Sequence, residues 1–153
     1  MDDKTLCKEL DSLIQLDIDA VNAYSMAIRN IDFQPIADQL TRFRGDHERH
    51  VADLSEIVRR HGGEPPKSTP DFKGFIISGF TAIRSATGTE GALNAMRRNE
   101  QLTNATYQKS LGKGFPADVV TVVQRNFEDE QRHLRYVEQT LRDRPWESSG
   151  ATV

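Results

Sequence analysis

Residues 46–50 of the chain read Asp-His-Glu-Arg-His, and residues 129–133 read Asp-Glu-Gln-Arg-His. Each segment sets a ligand-type side chain at i and another at i+3: His47 with His50, and Glu130 with His133. Residues three apart share a helix face, with Cβ atoms about 5–6 Å apart, so each pair can reach one cation or two adjacent ones. Two more acids stand in matching positions, Asp17 seven residues before Tyr24 and Glu100 seven before Tyr107. Three of the four histidines fall inside the two short segments. Imidazole nitrogen together with carboxylate oxygen suits iron, manganese or zinc better than calcium, which prefers all-oxygen shells. The chemistry on offer is transition-metal binding.

Four helices must position these groups. Leu6, Leu10, Leu13, Asp17, Ala20, Tyr24, Ala27 and Ile31 step by threes and fours and predict a helix over about 4–31. Ile36, Leu40, Phe43, His47, His50, Leu54, Ile57 and His61 predict a second over 34–61. Leu93, Met96, Glu100, Thr103, Tyr107 and Leu111 mark a third over 89–112. Val120, Val123, Phe127, Glu130, His133, Val137 and Leu141 mark a fourth over 116–142. Asp17, His47, His50, Glu100, Glu130 and His133 therefore occupy positions where each stripe calls for a core residue. A buried carboxylate costs several kcal/mol unless it is paired, protonated or metal-bound. No lysine or arginine lies on the stripes, and Arg44, Arg49, Arg132 and Arg135 flank the acids on other faces. A divalent metal is the simplest compensation; acids paired with arginine inside a metal-free bundle are the competing reading.

Neighbouring polar residues carry weaker expectations. Tyr24 and Tyr107 sit two turns, about 10 Å, from Asp17 and Glu100. They are either plain core tyrosines or hydrogen-bond partners of a ligand on a neighbouring antiparallel helix. His61 is expected to cap the carbonyls ending the second helix. Asp19, Asp46, Glu48 and Asp129 fall off the stripes and read as solvated, with Asp46 and Asp129 alternatively orienting His50 and His133. Thr87 and Glu90 could form a capping box.

Punctuation supplies the topology. Asp32 and Pro35 open the second helix, Gly62-Gly63 and Pro65-Pro66 close it, Gly112 and Gly114 end the third, and Pro116 opens the fourth. Short first and third connections make two antiparallel hairpins. Between them runs a long crossover in which Phe72, Ile76, Phe80 and Ile83 predict a short helix over about 73–86, packed on the bundle or a second subunit. Residues 1–142 form one all-α domain, and 143–153, with Trp146, read as a tail. The chain has 153 residues and a net charge of −3, and no basic patch indicates nucleic acid. Cys7 is the only cysteine, which rules out an intramolecular disulfide or a cysteine metal site and leaves it as a small side chain on the first helix. No apolar stretch approaches the ~20 residues of a membrane span. With no signal peptide legible, the expected location is cytoplasmic.

With these residues in place, the chain resembles the ferritin-like superfamily of four-helix dimetal-carboxylate proteins, which includes bacterioferritins and rubrerythrins. It looks most similar to small bacterial ferritin-like proteins of uncharacterised function, over residues 4–142. The resemblance implies a ferritin-like four-helix bundle whose metals are held by a Glu from each of helices 1 and 3 and a Glu-x-x-His from each of helices 2 and 4. Glu100 matches the helix 3 ligand, Glu130-Gln-Arg-His133 matches the helix 4 motif, His50 matches the helix 2 histidine, and Asp17 takes the helix 1 place with a shorter acid. His47 departs from the pattern, standing where the family has a glutamate that commonly bridges the metals. Asp17, Glu100 and Glu130 supply three negative charges where four would neutralise two divalent ions. A three-histidine dimetal site, a single-metal site and a weakly binding relic all stay open.

Two function classes follow. One is an oxidoreductase holding two divalent iron or manganese ions, iron foremost, which reduces dioxygen or peroxide, with Fe(II) oxidation as one outcome; zinc is a further candidate occupant of the site. In it Asp17 and Glu100 are terminal ligands, Glu130 bridges, and His47, His50 and His133 give nitrogen. The other is a non-catalytic stress or scaffold protein with a structural, mononuclear or vestigial site. A mineral-storing cage is disfavoured, since no fifth C-terminal helix is legible after residue 142. The resemblance also implies a homodimer.

Overall fold

The structure is a computed structural model, and it describes residues 1–67, 83 and 86–148. Four long helices, α1 (Asp3–Arg29), α2 (Gln34–Arg60), α3 (Gly88–Leu111) and α4 (Ala117–Asp143), are followed by a single turn, α5 (Pro145–Ser148). Asp2 caps α1, its side chain accepting from the Thr5 N–H at 2.7 Å. Pro35 sits in the first turn of α2, where its missing N–H leaves nothing unpaired. The other end of α2 closes on Gly62 at φ +81°. Gly62 N–H bonds to Arg59 O, and Gly63 N–H reaches back to Val58 O at 2.9 Å, the Schellman pattern for a left-handed residue after a helix.

Gly63 is also required by packing. A Cβ there would lie 2.8 Å from Cys7 Sγ and 2.9 Å from a Val58 methyl carbon. Exposed Gly45, inside α2, would meet nothing within 4 Å. Gly63→Ala is therefore expected to cost about 1–2 kcal/mol through overpacking. Gly45→Ala should stabilise by up to about 1 kcal/mol by restricting the unfolded chain and favouring helix. Urea denaturation midpoints check both; a Gly63→Ala protein as stable as wild type would contradict the packing argument.

The helices are tied antiparallel by reciprocal contacts. Tyr24 and Tyr107 exchange partners between α1 and α3, the first with Glu100 and the second with Asp17. His50 and His133 do the same between α2 and α4, with Asp129 and Asp46. The core is divided along the bundle into two apolar clusters. One gathers Ala27, Ile36, Leu40, Phe43, Leu93, Met96 and Val137. The other gathers Leu6, Leu10, Leu13, Leu54, Val58, Val119 and Val123. The polar groups lie in the layer between them.

Several expectations change. In α4 the buried stripe is Val119, Val123, Asn126, Glu130, His133, Val137 and Thr140, whereas Val120, Phe127 and Leu141 are only partly buried. Unbroken alternation of three and four sets that face, even though Asn126 and Thr140 stand on it along with Glu130 and His133. Asp19, expected in solvent, is buried, with its Oδ1 accepting from Gln15 Nε2 at 3.2 Å. His61 reaches Asp3 of α1 at 2.8 Å instead of capping α2 with its side chain. Thr87 makes no side-chain cap. Glu90 takes a two-pronged contact from Arg144 at 2.8 and 2.9 Å, and the guanidinium also lies over the Trp146 ring. That clasp explains why residues 145–148, read as tail, form a helical turn. The expected crossover helix lies outside the described residues except at its end, where Ile83 is wholly buried in the first cluster. Among the described residues, no helix is long and apolar enough to cross a membrane.

Candidate metal centre

All six stripe residues, Asp17, His47, His50, Glu100, Glu130 and His133, converge in the mid-bundle layer, each 0–1% exposed. They form two overlapping quartets: Asp17, His47, His50 and Glu130, and His47, Glu100, Glu130 and His133. Within each quartet, one donor atom per residue lies within 4.8 Å of all the others. Glu130 offers Oε1 to the first, 3.3 Å from both His47 Nδ1 and His50 Nδ1, and Oε2 to the second, 3.5 Å from His133 Nδ1. Three atoms facing this interior make no hydrogen bond: His47 Nε2, Glu130 Oε1 and His133 Nδ1. Unpaired buried polar atoms are costly, and convergent nitrogen and oxygen lone pairs are what a transition-metal ion accepts. The residues fit such an ion.

A surrounding shell fixes these groups. His50 turns Nε2 outward to Asp129 at 2.9 Å, and His133 turns Nε2 outward to Asp46 at 2.8 Å. Each Asp serves the histidine of the opposite hairpin. An outward N–H held this way leaves Nδ1 aimed inward as the ligand atom. Arg132 binds Asp46 at 2.8 Å and Asp129 at 3.1 Å, and Arg49 contacts the same two acids. Burial alone would raise Asp129, but His50, Arg132 and Arg49 outweigh it and bring it down to about 2. Asp46 is lowered likewise by His133 and Arg132. On the inner side, the Tyr24 hydroxyl donates to Glu100 Oε1, and the Tyr107 hydroxyl donates to Asp17 Oδ2 at 2.5 Å.

Electrostatics in the metal-free chain follow from the same geometry. Burial alone would lower the imidazoles. The carboxylates outweigh it, raising His50 to about 10, His47 well above its ordinary value, and His133 in the same direction. Glu130 is held well below the usual carboxylate range, since His47, His133 and His50 outweigh its desolvation. Imidazolium charge thus answers the buried acids.

Sequence reading missed two polar residues at the site. Thr103 Oγ1 lies 3.1 Å from Glu100 Oε2 and 3.3 Å from Glu130 Oε2, between the two glutamates. Asn126, wholly buried, approaches the Tyr107 hydroxyl without a well-formed hydrogen bond. The signal available for both was a polar side chain on a core stripe. Asp17, Tyr24, Asp46, His47, Arg49 and His50 recur as Glu100, Tyr107, Asp129, Glu130, Arg132 and His133 at one constant sequence offset. By that offset Asn126 answers to Phe43, which packs on the His133 ring at 4.3 Å between centroids.

Residues 5–113 match the family described as Domain of unknown function (DUF2383). The chain belongs to that family. Among solved structures, a crystal structure of ferritin-like, diiron-carboxylate proteins from Bacillus anthracis str. Ames aligns with a TM-score of 0.72. It is 19% identical and covers 92% of this chain and 98% of that one. No curated protein matches the sequence significantly. This DUF2383 chain has the ferritin-like fold, with a buried His/Asp/Glu cluster that is a candidate metal-binding group.

Proposed function

We propose that this DUF2383 protein holds two divalent transition-metal ions and, with iron foremost or manganese, acts as an oxidoreductase toward dioxygen or peroxide; zinc is an alternative occupant that brings no redox chemistry. The observation that carries the reading is the pair of quartets, with three buried donor atoms aimed inward that make no hydrogen bond to the described residues. The diiron-carboxylate description of the Bacillus anthracis neighbour supports it. Asp17 and Glu100 serve one quartet each, and Glu130 serves both. His50 and His133 give Nδ1, while His47 gives nitrogen to the centre. When bound, two redox-active ions would supply the electrons that reduce a small oxidant. The Tyr24 and Tyr107 hydroxyls orient the outer carboxylates, and Thr103 holds a hydroxyl proton between Glu100 and Glu130. The apolar clusters on both sides exclude bulk water and favour a reactant of few atoms. A homodimer in a cytoplasmic setting completes the proposal.

Anaerobic loading with Fe(II), followed by oxygen-electrode measurement, tests it. Oxygen uptake should scale with bound Fe(II) and exceed that of free Fe(II) in the same buffer. Uptake equal to the free-ion control would sink the redox reading. Metal loading should also raise the melting temperature, by about 4 kcal/mol of stabilisation at a thousandfold excess over Kd.

A second reading is a non-catalytic stress or scaffold protein with a structural, mononuclear or vestigial site. It is favoured by the 2.7 Å contact between His47 Nδ1 and Asp17 Oδ1, through which an imidazolium stabilises the acids without metal. It predicts a metal-dependent melting temperature without oxygen uptake, and uptake that appears only in His47→Glu.

A further inference from the structure

We propose that His47 bridges the two metal ions, one on each ring nitrogen, as an imidazolate. The inference rests on the two-metal reading above and assigns to this residue a role that the resemblance leaves open. The comparison is with the other two histidines. His50 and His133 each spend Nε2 on an aspartate at the rim and present Nδ1 alone to the interior. Among the described residues, His47 has no rim partner. Its Nδ1 faces Asp17 Oδ1 at 2.7 Å and Glu130 Oε1 at 3.3 Å, both in the first quartet. Its Nε2 faces Glu100 Oε1 of the second quartet at 3.6 Å and makes no hydrogen bond.

The lone pairs of the two ring nitrogens diverge, so one ion cannot take both, whereas one ion in each quartet can. The ring is held among aromatic neighbours, with centroids 5.3 Å from Tyr24, 5.0 Å from His133 and 5.5 Å from His50. Charge points the same way. Asp17, Glu100 and Glu130 leave two divalent ions one negative charge short. On metal binding, both N–H protons of the His47 imidazolium pass to solvent, both nitrogen lone pairs bind metal, and the anionic ring supplies the fourth negative charge. No electron is transferred in this step. Glu130 spans the same gap with one oxygen to each side.

The expected separation of the ions is about 6 Å, from metal–nitrogen bonds of about 2.0–2.1 Å on either side of a five-membered ring. Paired metals in compact dinuclear sites lie about 3.5–4 Å apart. The test is a crystal of the full chain loaded with Zn(II) alone, with anomalous maps at the zinc edge for wild type and His47→Glu. Two wild-type peaks about 6 Å apart flanking the His47 ring, closing to about 3.5–4 Å in His47→Glu, are the expected result. Two wild-type peaks at the short spacing, or His47 bound through one nitrogen only, would overturn the bridge while leaving two-metal binding intact. A single peak also overturns the bridge, and no peak overturns the metal reading with it. If His47→Glu does not fold, the wild-type separation decides alone.

Discussion

Replacing Glu130 with glutamine is expected to strip the protein of both metal ions and to weaken the metal-free fold. Glu130 is the one carboxylate shared by the two quartets, and its two oxygens face His47, His50 and His133 at 3.3–3.5 Å. Glutamine keeps the shape and removes the charge. Each ion then loses a ligand and its share of an anion. In the metal-free protein, three imidazoles lose a counter-charge in a layer buried from bulk solvent. Removing one partner of a buried ion pair costs 3–5 kcal/mol; a loss of about 3 kcal/mol is expected, because the imidazoles can shed protons. Elemental analysis after gel filtration should give two ions per wild-type chain and close to none in the variant. Chemical denaturation of the chelated proteins reads the stability term. Glu128→Gln, exposed on the same helix, should change neither quantity. A Glu130→Gln protein that keeps two ions would remove Glu130 from the centre.

Alkaline pH should separate the metal-free protein from the loaded one just as clearly. His50 faces Asp17 from α1, His47 on its own helix, the Tyr107 ring from α3, and Asp129 and Glu130 from α4. Burial opposes its charge, yet these acids hold its proton up to about 10, above an ordinary value of 6.5. A folded-state value above the unfolded one means that the folded chain binds the proton more tightly. The stabilisation is therefore complete below about 6.5 and is lost as pH rises through about 10, a change on the order of several kcal/mol. His47 and His133 shift the same way and add to it. Bound metal reverses the sign, since it needs rings free of the competing proton and binds better as pH rises. Melting temperatures between about pH 6 and 10 should fall for chelated protein and hold or climb for Zn(II)-loaded protein. Parallel curves would mean that the ions do not sit on these histidines.

The degree to which the chain could be read from its sequence follows the reach of helical periodicity. The stripes of α1, α2 and α3 identified the buried faces because nearly every position on them is apolar or belongs to the polar layer. That is why Asp17, His47, His50, Glu100, Glu130 and His133 could be named from spacing alone, and why the structure brings them together. In α4, hydrophobicity points to Phe127 and Leu141, whereas strict spacing points to their polar neighbours. Asn126 and Thr140 hold those core positions instead. Contacts across the bundle were less legible. The sequence offers Asp46 and Asp129 as acceptors for histidines, but the exchange between hairpins depends on the antiparallel register of α2 and α4, which no single helix encodes. Arg144 and Glu90 are far apart in sequence and surface-lying, so neither carries a periodic signal. Asp19 sits off its stripe and is buried all the same, because the contact between neighbouring helices is wider than one row of side chains.

The constant offset that relates the two hairpins has an evolutionary reading. Two identical hairpins pairing about a twofold axis would place the same residue at positions 47 and 130, because those positions face each other across it. Such an assembly could offer two glutamates or two histidines at its centre, never one of each. Joining the halves in a single chain removes that constraint. The mixed centre of His47 and Glu130, like the difference between Phe43 and its counterpart Asn126, is a composition that a symmetric pair of identical hairpins cannot have and a single chain can, and each half can drift further without its twin having to follow.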